Sequence, residues 1–345
     1  MTHHSLSLVL LYLCSLTGCA GHAVDLDHTA PAASTPIGPD AGIVIAKEGF
    51  AHVWVDDQRL YWLTQFGTFQ SCVKASCEHT RLTYVNGNPE SHLLSAAVAN
   101  GHVYWVSDRN IVFSCAAEGC DAGPVMVVQD SILQRIYAHQ DHVYWSSDRD
   151  FYRCPASGCG ATPEIAISET SPAFPAFDGT RIYWIGGFGI MSAPADGSAS
   201  PELVVDWHLG AEWIQSIAVG GEYLYWAAGT QAFRCPIASC NASAPTLLVT
   251  GNDRIHDLRV DVTTMYWSDN GHTDKWSRLT DIVRSCPLEG CEQSTALTPP
   301  RLRGHSLDAN DSSTFAIDAT DIYWIDVGDD PSSPTRINTI RKTAK

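Results

Sequence analysis

From about residue 43 onward the chain carries a hydrophobic pattern that repeats. An apolar residue followed by Tyr-Trp occurs seven times: Leu60-Tyr61-Trp62, Val103-Tyr104-Trp105, Val143-Tyr144-Trp145, Ile182-Tyr183-Trp184, Leu224-Tyr225-Trp226, Met265-Tyr266-Trp267 and Ile322-Tyr323-Trp324. Successive tryptophans are 43, 40, 39, 42, 41 and 57 residues apart. A strand-like unit with a period near 40 to 45 predicts a β-propeller.

Each unit reads as four strands, A to D. In residues 216–250, strand A is Ser216 to Val219, strand B Tyr223 to Trp226, strand C Ala232 to Cys235 and strand D Thr246 to Val249. Gly220-Gly221, Asn100-Gly101 and Asp178-Gly179 mark A–B hairpins, whose primed turns need positive φ. Strand B is apolar at consecutive positions, the mark of a sheet buried on both faces. A blade has a neighbour on each side, so the Tyr-Trp pair fills both gaps. Seven regular recurrences favour this packing role over an aromatic ladder for sugars. In the last unit, strand B is read at 322–326 and strand C at 337–342, with no strand D after them. An unpaired strand at 42–46 precedes the first strand A, at 51–55, and can complete the last blade. The expectation is an all-β, seven-bladed propeller over residues 43–345, with four-stranded blades and a ring closed by the N-terminal strand.

The Tyr-Trp-x-Ser-Asp stretches ending at Asp108 and Asp148 carry a resemblance to YWTD-type propellers, and more closely to secreted bacterial propellers with Tyr-Trp repeats. It covers about residues 43 to 342. YWTD propellers usually have six blades, whereas seven units are present here. The resemblance implies that Asp108 and Asp148 end strand B near the channel rim and tie adjacent blades through backbone amides. It says little about ligand, since one fold hosts many functions.

Residues Leu6 to Leu16 form a mostly apolar run, too short to span a bilayer and fitting a secretory signal. It ends in Leu16-Thr17-Gly18-Cys19, which resembles the bacterial lipobox and implies cleavage before Cys19 with a lipid on its sulfur. An ordinary signal peptide that happens to contain Cys19 is the alternative. Ala20 after the cysteine resembles an outer-membrane address. Residues 1–18 are thus read as signal and 19–42, rich in Ala, Pro, Ser, Thr and Gly, as a flexible tether. The formal net charge of −17 argues against nucleic acid as a partner and against an anionic lipid surface. The expected membrane partner is reached through the lipid on Cys19 alone.

Besides Cys14 and Cys19, ten cysteines form five Cys-x4-Cys pairs: Cys72/Cys77, Cys115/Cys120, Cys154/Cys159, Cys235/Cys240 and Cys286/Cys291. An even count in an exported chain implies disulfides. The fourth unit has Ala193 and Ser198 at the two equivalent positions, a joint loss that fits a bonded pair. Zinc needs four converging ligands, and pairs on five separate blades do not converge. Each short loop is worth only roughly 2 kcal/mol by loop entropy. The clips are therefore expected to stiffen hairpins more than to hold the ring.

The B–C and D–A loops should share one face of the ring. Three long insertions fall there, on blades 6 and 7: residues 268–281, 297–313 and 327–336. Long loops on a rigid scaffold are where binding usually sits. The candidate ligand-binding residues are Asp269, His272, Asp274, Trp276, Arg303, His305, Asp329 and Asp330. Asp269, Asn270 and Asp274 form an oxygen cluster that suits calcium, although the bidentate Glu of a calcium loop is missing; no other cofactor is implied. His102 and His142 open strand B in two units, a repetition that points to turn packing. No nucleophile elbow, His-Glu-x-x-His or phosphate loop is present. The chain reads as a binding or scaffolding module for a protein or glycan. The alternatives are a metal-dependent hydrolase or lyase at the channel mouth, and a structural subunit of an envelope assembly.

Overall fold

The structure, a computed structural model, describes residues 43–345 apart from 49, 65–66, 88–92, 94, 131–132, 134, 147–149, 161, 169–172, 188, 208–211, 252–253, 274–278, 292–293, 299–300, 303–314 and 328–337. Seven antiparallel sheets follow one another, at 50–85, 95–129, 136–167, 173–206, 214–250, 255–302 and 315–344. These are blades 1 to 7 of an all-β propeller. Inner strands of neighbouring blades meet: Ser95–Ala99 lies against Ile136–His139, Ile214–Gly220 against Ile255–Val260, and Phe50–Val55 against Phe315–Ile317. Strand A of each blade thus faces the central channel. No helix among the described residues is long and apolar enough to cross a membrane.

The ring closes as expected. Blade 7 supplies three strands, and its fourth is Ile43–Glu48, antiparallel to Asn338–Ala344. Lys47 lies opposite Thr339 and Val44 opposite Arg341. This pairing covers an edge whose backbone groups would otherwise be open to another chain.

Seven buried clusters fill the gaps between blades, and each joins the tyrosine of one blade to the tryptophan of the next. Tyr61 packs with Trp105, Tyr104 with Trp145, Tyr144 with Trp184, Tyr183 with Trp226, Tyr225 with Trp267 and Tyr266 with Trp324. Tyr323 of blade 7 with Trp62 of blade 1 completes the circle. Neighbouring positions on a strand point to opposite faces, so Tyr and Trp enter opposite gaps.

A buried tyrosine hydroxyl needs a hydrogen-bond partner. In blades 1, 4, 6 and 7 an aspartate five residues earlier provides it: Asp56, Asp178, Asp261 and Asp318 accept from Tyr61, Tyr183, Tyr266 and Tyr323 at 2.5, 2.7, 3.0 and 3.1 Å. The other carboxylate oxygen accepts two backbone amides of the A–B turn, as Asp318 does from Thr320 and Asp321.

Blade 7, made from both chain ends, carries an ion pair on each side. Lys345 reaches Asp261 of blade 6 at 2.6 Å, and Lys74 of blade 1 reaches Asp318 at 2.5 Å. Burial raises the Asp318 carboxyl, but the Lys74 hydrogen bond, the two turn amides and the Lys74 charge outweigh it and hold it at about 2. The unfolded chain has an ordinary aspartate near 3.9. The resulting stability is complete above that value and is lost as pH falls towards 2. Lys74→Met should therefore lower the denaturation midpoint most above pH 4, with the gap to wild type closing towards pH 2.5. Urea titrations across that range check it, and a gap that widens on acidification would be the wrong sign.

The five cysteine pairs form disulfides with the expected partners. Cα separations are 4.8 Å for Cys72–Cys77, 5.4 Å for Cys115–Cys120, 5.5 Å for Cys154–Cys159, 5.2 Å for Cys235–Cys240 and 5.6 Å for Cys286–Cys291. All fall in the range that a disulfide spans. Besides stiffening their hairpins, they contribute to the packing between blades. Each clip packs into the gap shared with the preceding blade: Cys72 and Cys77 with Tyr323, Cys115 with Tyr61, Cys154 with Tyr104, Cys235 and Cys240 with Tyr183, and Cys286 with Tyr225. The second cysteines divide. Cys77 and Cys240 are buried, whereas Cys120, Cys159 and Cys291 are half-buried and pack against the edges of the same clusters. In those three clips the first sulfur is sealed in the gap and the second borders solvent.

The hairpins also accept bonds from the preceding blade. Tyr84 donates to the Ala117 carbonyl at 2.5 Å and Arg234 to that of Leu288 at 2.7 Å. In blade 4, buried Ala193 stands where the first cysteine would be, and Arg153 of blade 3 donates to the Ala195 carbonyl at 3.1 Å. Docking on the preceding blade is thus shared by hairpins with and without a disulfide.

Two turn readings shift by one residue. Asn100 and Gly101 have φ of 49° and 69°, as a primed turn needs. Gly220, by contrast, stays in strand A opposite Tyr223, and the turn is Gly221-Glu222. A Cβ on Gly220 would meet Val260 of blade 6 at 2.5 Å, so glycine serves close packing there. In blade 4 the Asp178 amide bonds the Arg181 carbonyl, and the turn is Gly179-Thr180.

Asp108 corrects another expectation. It lies exposed in the B–C turn, where the Asn110 amide bonds the Ser107 carbonyl, rather than at a blade junction. Asp130, at the end of strand D, makes the tie instead, accepting from Trp145 of the next blade at 3.0 Å. Asp148 lies outside the described residues. His102 and His142 lean towards Tyr104 and Tyr144, with ring centroids 6.2 Å apart in each case, in keeping with turn packing.

Candidate functional site

Blade 6 departs from its neighbours at the B–C end. Its strand B runs Thr264–Thr273, ten residues, while strand B of blades 1 to 5 has five or six. Its strand C, Leu279–Pro287, keeps pace, with Asn270 opposite Asp281, His272 opposite Thr280 and Thr273 opposite Leu279. Residues 268–273 and 279–281, expected as loop, are therefore an extended hairpin with a bulge between Asn270 and His272. Asp-Asn-Gly is a turn composition with poor strand propensity, and cross-strand pairing overrides it. The long connection to blade 7 adds to this ribbon: Arg301–Leu302 pairs with strand C at Asp281 and Thr280. Its start is pinned where Leu297 donates to the Val283 carbonyl and Val283 to the buried Thr298 hydroxyl.

The base of the hairpin is braced electrostatically. Asp269, only 4% exposed, pairs with Arg284, which lies opposite Trp267 on strand C. Blade 7 repeats the device: Asp326 pairs at 2.5 Å with Arg341, opposite Trp324. In blades 1 to 5 the residue opposite the tryptophan is Gln70, Phe113, Tyr152, Met191 or Phe233. The arginine–aspartate pairs thus mark the two blades with long B–C insertions. Removing Arg284 would be costly, because it strands the buried Asp269 charge.

Asp269 is therefore committed through one oxygen to a guanidinium. Asn270 and His272 belong to the described backbone, but their side chains lie outside the described residues, as do Asp274, Trp276, Arg303, His305, Asp329 and Asp330 altogether. The topology brings two of the three insertions, 268–281 and the start of 297–313, into one ribbon. No group of three His, Cys, Asp or Glu side chains suited to a metal occurs among the described residues.

Two inner-wall features had no signal in the sequence. In strand A of blade 6, Asp257 adopts φ of 45° at a bulge and pairs with Arg259 at 3.0 Å; that guanidinium sits 5.2 Å from the Phe315 ring of blade 7. On the other side, a cavity of about 260 Å³ is lined by residues in or next to strand A of blades 1 to 4, among them His52, Trp54, Arg135, Tyr137 and Phe177. The packing of successive blades makes neighbours of residues so far apart in the chain.

No protein-family model matches the chain, and no curated protein matches its sequence. Solved structures do share its shape. YCF48 bound to D1 peptide matches with a TM-score of 0.54 at 9% identity, covering 87% of this chain and 93% of that one. Human WBSCR16 gives 0.52 at 10% identity, covering 85% and 87%. The WD40 β-propeller domain of Doa1 gives 0.50 at 9% identity, covering 86% and 95%. At such identities the likeness shows the fold alone.

Proposed function

We propose that the chain is an exported, lipid-anchored propeller that binds a protein partner through the extended hairpin of blade 6 and the insertions beside it. One observation carries this reading: the hairpin and its connection form a three-stranded ribbon on a rigid ring, braced by Asp269–Arg284 beside Asp326–Arg341. A paired hairpin whose connecting sequence, residues 274–278, is polar and aromatic suits recognition. The capture of D1 peptide by YCF48 supports it only so far as a propeller of this shape takes a peptide. The lipid anchor rests on Leu16-Thr17-Gly18-Cys19 behind a short apolar run, and five disulfides suit an oxidising compartment.

A photo-crosslinking residue at Asp274, compared with one at exposed Glu118 on the opposite face, tests the surface in intact cells. A discrete protein adduct from position 274 alone is expected. Equal adducts from both positions, or adducts to glycan only, would sink the protein-partner reading. Cys19→Ser should move the chain from the detergent phase to the aqueous phase; unchanged partitioning would remove the anchor.

A further inference from the structure

Seven large apolar side chains are well exposed among the described residues. Five of them, Val125, Met126, Ile165, Leu203 and Leu247, lie in outer strands D, and Val262 lies in an A–B turn. Trp213 stands apart. It ends the link from blade 4 to blade 5 and is the one ring in that group, 75% exposed.

A scattered exposed aliphatic residue needs no explanation, but this indole is held in place on several sides. Within the link, Trp207 donates from Nε1 to the Glu212 carbonyl at 2.9 Å, and its ring lies 4.9 Å from Phe233 and 5.7 Å from Trp226. The Glu212 side chain packs on the B–C turn of blade 5 so closely that a Cβ on Gly229 would meet it at 2.6 Å. Ile214, next in the chain, is buried in the gap between blades 4 and 5. A ring on a fixed mount loses little freedom when something covers it.

The mount continues into the blade 6 ribbon. Glu212 reaches Arg254, in the link from blade 5 to blade 6, at 3.4 Å. The Gly229 carbonyl accepts from the Ile255 amide at 2.9 Å, and Ile255 lies opposite Asp269 at the base of the hairpin. Trp213 thus flanks the proposed binding surface, one blade away on the same face.

Charge says what would cover the indole. The chain has a formal net charge of −17, and the Glu212 carboxylate next to the ring is half exposed. The negative face of an indole attracts a cation. The chain makes this contact internally: Arg81 lies 5.4 Å over Trp62, Arg234 4.7 Å over Tyr223, Arg259 5.2 Å over Phe315 and Lys345 4.9 Å over Tyr266. Trp213 turns the same ring chemistry outwards.

We propose that Trp213 belongs to the blade 6 surface and receives a lysine or arginine side chain of the protein bound there, with Glu212 beside it. This rests on the protein-partner reading and adds to it a second contact point and the charge of the partner's segment.

Crosslinking in intact cells tests it, with an aromatic photo-crosslinking residue at Asp274 or at Trp213. Both positions should give an adduct with the same protein, and the link from 213 should map beside a lysine or arginine. With the probe at 274, Trp213→Ala and Trp213→Leu should cut the adduct roughly tenfold or more, while Trp213→Phe, which keeps a ring face, should retain much of it. Thermal unfolding confirms that the variants are folded, as substitution at an exposed position allows. An adduct from 274 that Trp213→Ala leaves unchanged would overturn this inference and spare the reading of the ribbon. So would no link from 213, or one to a glycan, to a different protein or to an acidic stretch. No adduct from 274 in the otherwise wild-type chain would overturn both.

Discussion

A chain lacking residues 1–48 is expected to be aggregated or largely unfolded under conditions where one lacking only residues 1–42 is folded and monomeric. The difference is the single strand Ile43–Glu48, which completes blade 7. Without it, the seven residues Asn338–Ala344 present an open edge. Ile340, fully buried in the cluster that joins blades 7 and 1, loses a covering strand. Several ladder hydrogen bonds at about 1 kcal/mol net each, with roughly 1.5–3 kcal/mol for an isoleucine uncovered, total about 5 kcal/mol. That is comparable with the whole stability of many domains. Thermal unfolding and size-exclusion chromatography of the two truncations check the result; equal melting temperatures would mean the strand is dispensable.

The second large effect belongs to the aromatic wedges. Trp62 has no exposed surface and sits with Tyr323 in the gap where the ring closes. Trp62→Ala should cost about 3–5 kcal/mol, through lost burial and the cavity left behind. Trp213, 75% exposed in the link between blades 4 and 5, is the internal control. Trp213→Ala should stay within about 0.5 kcal/mol of wild type. Urea denaturation of both reads the contrast directly. Comparable losses would show that the buried repeat is not what holds the blades together.

What the sequence revealed, and what it hid, follows from where each constraint acts. The Tyr-Trp repeat was legible because both faces of strand B are buried in every blade, so the same steric demand is written seven times. Ring closure was legible from a strand left over at one end and one missing at the other. The cysteine pairs were legible because blade 4 loses both members together. Their docking on the preceding blade was not, since a hairpin's neighbour across the gap leaves no mark on its own spacing. The aspartate five residues before tyrosine in four blades was in plain view, at Asp56, Asp178, Asp261 and Asp318. A turn aspartate needs no further reason, and only the folded turn shows its second oxygen reaching a hydroxyl in the core. The Lys74–Asp318 pair joins residues 244 apart in sequence and had no local trace. In the candidate site, Ser-Asp-Asn-Gly looked like loop because its strand character comes from the ribbon it joins. Of the eight ligand-binding residues read from the sequence, Asp269 gained a full structural account, as the partner of Arg284. The inner-wall cavity was invisible, since residues 52, 97, 135 and 177 meet only in three dimensions.

Cysteines placed at Lys47 and Thr339 offer the most direct trial of the closed ring. These residues face each other across the strand contributed by the opposite end of the chain. Directly opposed antiparallel residues have Cα atoms about 4.5–5.5 Å apart, within disulfide reach. Peptide mapping of the oxidised Lys47→Cys/Thr339→Cys chain should find one intramolecular 47–339 link in a monomer, and none when the partner is moved to Thr343. A link formed only between chains, or formed equally at 339 and 343, would contradict the closed seven-bladed ring.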